Sequence, residues 1–399
     1  MISRRRMLAS TATLLAASKL LPGQGRGGQG SGTYRPVVTP NGASLPFEVE
    51  GGVKVFRLRA EPVKHEVAPG LVLNCWGYNG RTPGPTIEAV EGDRVRIHLT
   101  NALPEATSVH WHGLLLPNGM DGVAGLTQRG VEPGETCVYE FTLRQHGTQL
   151  YHPHADEMTQ IALGMMGFFV IHPRTAPEEP VHRDYCLLVH EWAVKAGAST
   201  PDPTVMTDFN LFTFNSRAYP GTEHLPATLG ERVRLRLGNL SMDSHPLHLH
   251  GHRFQVTGTD GGPVPPSARF SETTLNVPVG ATRDIEFVAD NPGDWAFHCH
   301  KTHHTMNQMG HGLPNMLGAR EEAGVSTLVP GYMPMGQGGY GERMSMGGPA
   351  NSISMLGGEG PYGPLEMGGM FTIIKVREGS AFAGWYDAPS GTRARVSAK

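Results

Sequence analysis

The chain has 399 residues, enough for two ordinary domains with a core each and tight for three. Its formal net charge of -3, with no basic run outside the extreme N-terminus, argues against a nucleic-acid partner. The 53 glycines and 32 prolines disfavour long helices and suit short strands joined by many turns.

Residues 1–33 carry SRRRML at positions 3 to 8, then an apolar run to about Pro22 that Lys19 interrupts. That run is too short and too broken to span a bilayer, and no later segment reads as transmembrane. Paired arginines ahead of a weak apolar core have the look of a twin-arginine export signal, which predicts a periplasmic or secreted protein exported already folded. A linker then leads into a first domain drawn at 34–176.

Within it, RVRIHL from Arg94 alternates polar and apolar residues, the period of a half-buried strand in a β-sandwich. HWHG follows at His110 to Gly113, then GETCVYEF at 134–141 and HPH at His152 to His154. A second domain, 177–399, repeats the plan. EGDRVRIHLTN at 91–101 matches LGERVRLRLGN at 229–239 at an offset of 138, which lays His110 on His248 and His112 on His250. GETCVYEF matches GATRDIEF at 280–287 at an offset of 146, which lays His152 on His298 and His154 on His300. The chain is therefore a duplication, predicted to be all-β with two tandem β-sandwich domains. An insertion rich in Gly, Pro and Met, 312–370, interrupts the second copy before MFTIIKV at 370–376 returns as a strand.

Residues i and i+2 of a strand share a face, so each HxH pair presents two imidazoles side by side. Four such pairs give eight imidazoles, the ligand count of a trinuclear copper cluster held between two related domains. The second copy adds His245, Cys299, His304 and Met309: two imidazoles, a thiolate and a weak axial thioether, the blue-copper set. The first copy has Thr107, Pro153, Met158 and Leu163 at those positions and can form no such site. Cys299 stands directly between His298 and His300, which joins the two centres by a few covalent bonds. An electron taken at the mononuclear site can pass through it to a cluster that reduces dioxygen. If Cys299 is a ligand, Cys75, Cys137 and Cys186 allow at most one disulfide.

These four motifs, with PGPTI at 83–87, resemble the multicopper oxidases, the family of laccases and bacterial copper-resistance oxidases. The resemblance covers roughly residues 75 to 310 and implies cupredoxin-like domains and four coppers per functional unit: one type 1, one type 2 and two type 3. It makes His110 and His248 the type 2 ligands, and His112, His152, His154, His250, His298 and His300 the type 3 ligands. His245, Cys299 and His304 become type 1 ligands with Met309 axial, while His252 is no ligand.

His154 and His245 are too close for a third domain between them. A two-domain relative of this kind closes its cluster between the first domain of one subunit and the second of its neighbour, which implies a homotrimer, with pairing inside one chain as the alternative. Asp121 matches an acidic residue near the type 2 copper and is the candidate proton donor. On the other side, His303 stands where many bacterial relatives carry a glutamate.

The expected partners are dioxygen and a donor such as a phenol, an aromatic amine or a metal ion, Cu(I) or Mn(II). Methionines in and beside the insertion, Met306, Met316, Met333, Met335, Met344, Met346, Met355, Met367 and Met370, either deliver Cu(I) or form an adaptable lid. Two other functions stay open: a periplasmic copper-binding or copper-resistance protein, and a copper nitrite reductase.

Overall fold

A computed structural model describes residues 34–177, 179–195, 197–308, 350–355 and 357–394. The expected export signal, Met309 and the insertion as far as residue 349 lie outside them. The described chain is built of strands, and none of its helices is long and apolar enough to cross a membrane. Named strands up to His172 pair only among themselves, and so do those from Arg183 onward.

In the first half, β1 (Phe47–Glu50), β2 (Val53–Ala68), β3 (Leu71–Tyr78), β5 (Arg94–Asn101) and β6 (Thr136–Thr142) form a five-stranded sheet in the order β1-β2-β5-β6, with β3 on β2. Facing it, β4 (Ile87–Val90), β7 (Gly147–Tyr151) and β8 (Gly167–His172) form a three-stranded sheet in the order β4-β8-β7. Alternation in β5 buries Val95, Ile97 and Leu99 completely against Trp111, Tyr151 and Phe169. Each such side chain contributes about 1.5–3 kcal/mol on burial.

The second half repeats this. β10 (Leu211–Phe214), β9 (Arg183–Trp192), β12 (Arg232–Asn239), β16 (Thr282–Val288) and β14 (Phe254–Thr259) lie in that order, extended by two short edge strands to seven. β11 (Leu225–Thr228), β18 (Phe371–Arg377), β17 (Gly293–Cys299), β13 (His245–Leu249) and β15 (Thr274–Val277) form the opposing five-stranded sheet. As the duplication requires, β5 runs parallel to β2 and β12 parallel to β9. The strand expected at 370–376 is β18, seated between β11 and β17. Met355 and Met370 are buried beneath this region, so these two belong to the core rather than to an exposed thioether surface.

One difference between the copies joins the halves. By the 138 offset Arg236 stands where the first copy has His98, yet Arg236 is almost fully buried. Strand β7 covers it, so its guanidinium grips Asp184 through two bonds of 2.7 and 2.8 Å and donates to Thr148 Oγ1 at 2.8 Å. Thr148 in turn donates to Asp284 at 2.7 Å. Replacing Arg236 by Ala takes both short bonds from the buried Asp184 carboxylate and leaves it only Arg234 at 3.3 Å, and the expected loss of stability is about 3–5 kcal/mol, read from urea unfolding. His98→Ala, at the matching position, is expected to cost under about 0.5 kcal/mol.

Residues 34–45 lie as a strap across both halves. Tyr34 stacks on His172 at 4.0 Å, and Val37 N–H donates to Glu88 at 2.9 Å. Val38 then bridges to Tyr185, and Asn41 exchanges two hydrogen bonds with Glu223. All four cysteines are free thiols, so the single disulfide that the sequence allows does not form; Cys75 and Cys186 are instead packed in the apolar seam between the halves.

Candidate metal centres

Strand register brings the histidine motifs together in the same way in both halves. His110 bridges to His152, and His248 stands opposite His298 on β13 and β17. In the first half the rings of His112, His152 and His154 lie 5.6, 5.3 and 5.5 Å from that of His110. In the second, those of His250, His298 and His300 lie 4.8, 5.7 and 5.4 Å from that of His248. Each quartet is closed on itself: among the described residues no ring contact or hydrogen bond joins one to the other. The first quartet lines a cavity of about 580 Å³, whereas His248 and His250 of the second line another of about 1010 Å³.

Burial pushes the His152 pKa down to about 3 and that of His298 to about 4, and it lowers His112 and His250 as well. At neutral pH these rings are uncharged and offer lone pairs, which a metal requires. Asp121 is beside the first quartet, its backbone carbonyl accepting from His110 Nδ1 at 2.9 Å and its carboxylate 3.5 Å away.

The third cluster lies under β13 and β17. His245 Nδ1 and His304 Nδ1 are 3.7 and 3.5 Å from Cys299 Sγ and 3.2 Å from one another. All three side chains are buried. Burial holds the His245 pKa near 3 and that of His304 near 2, and raises the Cys299 thiol to about 12. A thiol so raised becomes a thiolate only when a cation takes the proton's place. Two imidazoles and one sulfur converging in a dry pocket make a trigonal donor set suited to copper, and the residues present fit that metal.

Met309, expected as the fourth ligand, lies outside the described residues. His303, the residue before the last histidine of the set, meets His304 edge to face at 4.3 Å. His252 is buried against Trp295 and Phe287 and points into neither quartet's ring contacts.

Several partners were not legible in the motifs. Phe212 stacks on His304 at 3.9 Å, and Ser241 Oγ meets His245 Nε2 at 2.8 Å. Glu191 Oε1 lies 3.5 Å from that same nitrogen, in a carboxyl whose pKa burial raises to about 7. Glu157, the first residue of α1 (Glu157–Ala162), reaches His152 and His154 at 3.4 and 3.6 Å. Ser241 and Glu157 sit a few residues from histidines they serve, but serine and glutamate at such spacing are common anywhere.

Two models of the multicopper oxidase family match the chain, over residues 60–176 and 196–316. A blue copper oxidase from Nitrosomonas europaea superposes with a TM-score of 0.62 at 26% identity, over 81% of this chain and 85% of that one. Among curated relatives, a probable nitrite reductase-hydroxylamine oxidoreductase fusion protein of Kuenenia stuttgartiensis is 29% identical over 65% of this chain and 31% of its own length. Laccase-2 of Botryotinia fuckeliana is 31% identical over 60% of this chain and 45% of its own length. The chain thus spans less than half the length of these curated relatives. The cupredoxin-like sandwiches, the copper-suited donor sets and a family match on each histidine-bearing half agree: the chain belongs to the multicopper oxidase family.

Proposed function

We propose that this chain is an exported oxidase that takes electrons singly from a phenol, an aromatic amine or a metal ion such as Cu(I) or Mn(II) and passes four of them to dioxygen, leaving two waters. The observation that carries the reading is Cys299: its thiol faces His245 and His304, while its backbone neighbours on either side, His298 and His300, belong to the second quartet. When bound, copper supplies one-electron uptake at the cysteine site and four-electron delivery at the histidine cluster. A copper store needs no such covalent link.

In this reading His245, Cys299 and His304, with Met309, hold the type 1 ion. His110 and His248 hold the type 2 ion, and His112, His152, His154, His250, His298 and His300 hold the type 3 pair. The units are 34–176 and 177–399. That among the described residues no ring contact or hydrogen bond joins the two quartets, and that His248 and His250 line a different cavity from the first quartet, favours a cluster closed between chains, head to tail, in a homotrimer. Asp121, held against His110, is the group that passes protons toward the reduced oxygen.

The name of the Kuenenia relative raises a second reading, nitrite reduction. That chemistry uses a mononuclear type 2 site and leaves most of the eight imidazoles without a role. Oxygen uptake by the copper-loaded protein is to be measured with Cu(I), Mn(II) and a methoxyphenol, and nitrite consumption in parallel. Uptake with at least one donor is the expected result; nitrite consumption without oxygen uptake would replace the oxidase reading, and neither reaction would leave copper binding alone.

A further inference from the structure

We propose that Ser241 is a positioning residue for the cysteine-bearing site, holding His245 in the one tautomer that offers Nδ1 to the metal and setting how strongly the site prefers Cu(II) to Cu(I). The proposal rests on the reading of His245, Cys299 and His304 as the type 1 set. Ser241 Oγ lies 2.8 Å from His245 Nε2, and both residues are buried.

Which of the two donates follows from their neighbours. Asn239 Nδ2 donates to the backbone carbonyls of Asp243 and Val277 at 2.8 and 2.9 Å, which leaves Oδ1 as the accepting end of that amide. Oδ1 accepts from the Ser241 hydroxyl at 2.7 Å and from the Ser241 N–H at 2.9 Å. The hydroxyl's other close contact, the Asp243 carbonyl at 3.1 Å, is an acceptor too. Its single hydrogen is therefore taken, and toward His245 the oxygen can only accept. His245 must carry its proton on Nε2, so the Nδ1 lone pair faces Cys299 Sγ at 3.7 Å and His304 Nδ1 at 3.2 Å. Glu191 Oε1 stands off from the same Nε2 at 3.5 Å and makes no hydrogen bond.

The duplication separates the hydroxyl's role from that of the turn it sits in. At the offset of 138, Asn101, Leu103 and Thr107 stand for Asn239, Ser241 and His245. Asn101 builds the same turn, with Nδ2 donating to the Glu105 and Val131 carbonyls at 2.8 and 2.7 Å and Oδ1 accepting from the Leu103 N–H at 2.8 Å. Leucine serves where there is no imidazole to hold. Serine stands where there is one. A partner that accepts from the outer N–H makes the inner nitrogen a stronger donor. That favours Cu(II), the harder of the two ions, so the hydrogen bond lowers the reduction potential and tightens metal binding.

The test compares full-length Ser241→Ala and Ser241→Thr with the unaltered protein. In copper-loaded Ser241→Ala, the potential read by titrating the blue band against redox mediators is expected to rise. Co(II), followed by its own thiolate absorption in metal-free protein, is expected to bind about ten- to a hundredfold more weakly. Ser241→Thr keeps the hydroxyl and is expected to restore both values. The leucine at the matching position implies that Ser241→Ala folds, and its urea midpoint is measured to check this. A potential that stays the same or falls in folded Ser241→Ala overturns the proposal, and so does a Ser241→Thr protein that behaves like Ser241→Ala. Oxygen uptake by the unaltered protein is measured alongside: uptake with no shift in Ser241→Ala overturns the positioning role alone, and weaker Co(II) binding by Ser241→Ala without any uptake overturns the oxidase reading alone.

Discussion

Two inactive variants, His112→Ala and His250→Ala, are expected to recover oxygen uptake when assembled together. His112 lies in the first cavity and His250 in the second, and no described contact joins their quartets within a chain. If each cluster takes one quartet from each of two neighbours, every cluster of either variant alone lacks a ligand. In a mixed ring, an interface that pairs the intact first quartet of one variant with the intact second quartet of the other is whole. Random assembly of equal amounts leaves about one interface in four in that state. Oxygen uptake near a quarter of the unaltered rate is therefore expected after joint unfolding and refolding with copper, against almost none for either variant alone. Neither ring is fully buried, so both variants are expected to fold. Absence of recovery, with both variants shown to be mixed trimers, would mean that the cluster closes inside one chain.

Cys299→Ser should remove the intense visible absorption of the blue site and with it all donor oxidation. The hydroxyl is a harder ligand, and it is far less acidic than the thiol it replaces, so it does not form the soft anionic bond on which the colour depends. The side chain lies in the core beside Leu247 and Phe297 with no exposed surface, so a hydroxyl there costs about 1–3 kcal/mol in stability. That loss falls well short of a typical domain stability of about 5–15 kcal/mol, and the variant should still fold. Because His298 and His300 are untouched, metal analysis should find about three coppers per chain rather than four. Persistence of the blue band would remove Cys299 from the site; loss of all copper would point to misfolding instead.

The sequence made the duplication legible because β5 and β12 keep their alternation and their histidine pairs keep register with it. It made the thiolate site legible because a cysteine between two histidines of an HxH pair leaves few other readings. What it did not make legible depends on chain that arrives from elsewhere. Thr273 and Asp121 anchor imidazoles through their backbone, and a backbone carbonyl is the same in every residue type, so no motif marks it. Phe212 covers His304 from a strand nearly a hundred residues earlier, and as one apolar residue in LFTF it reads as ordinary core. Arg236 reads as an outward-facing strand arginine, and only the arrival of β7 turns it into a buried clamp. The separation of the quartets is likewise a matter of how two sandwiches are set side by side, which periodicity within each does not encode.

The strap over residues 34–45 constrains the order in which the molecule can be completed. It is among the first parts of the described chain to be made, yet its pair of bonds between Asn41 and Glu223 spans 182 residues and its bridge from Val38 reaches as far as Tyr185. Contacts so distant along the chain are entropically slow to close. The first half can gather its own sheets during synthesis, but it stays unlatched by the strap until the second half exists.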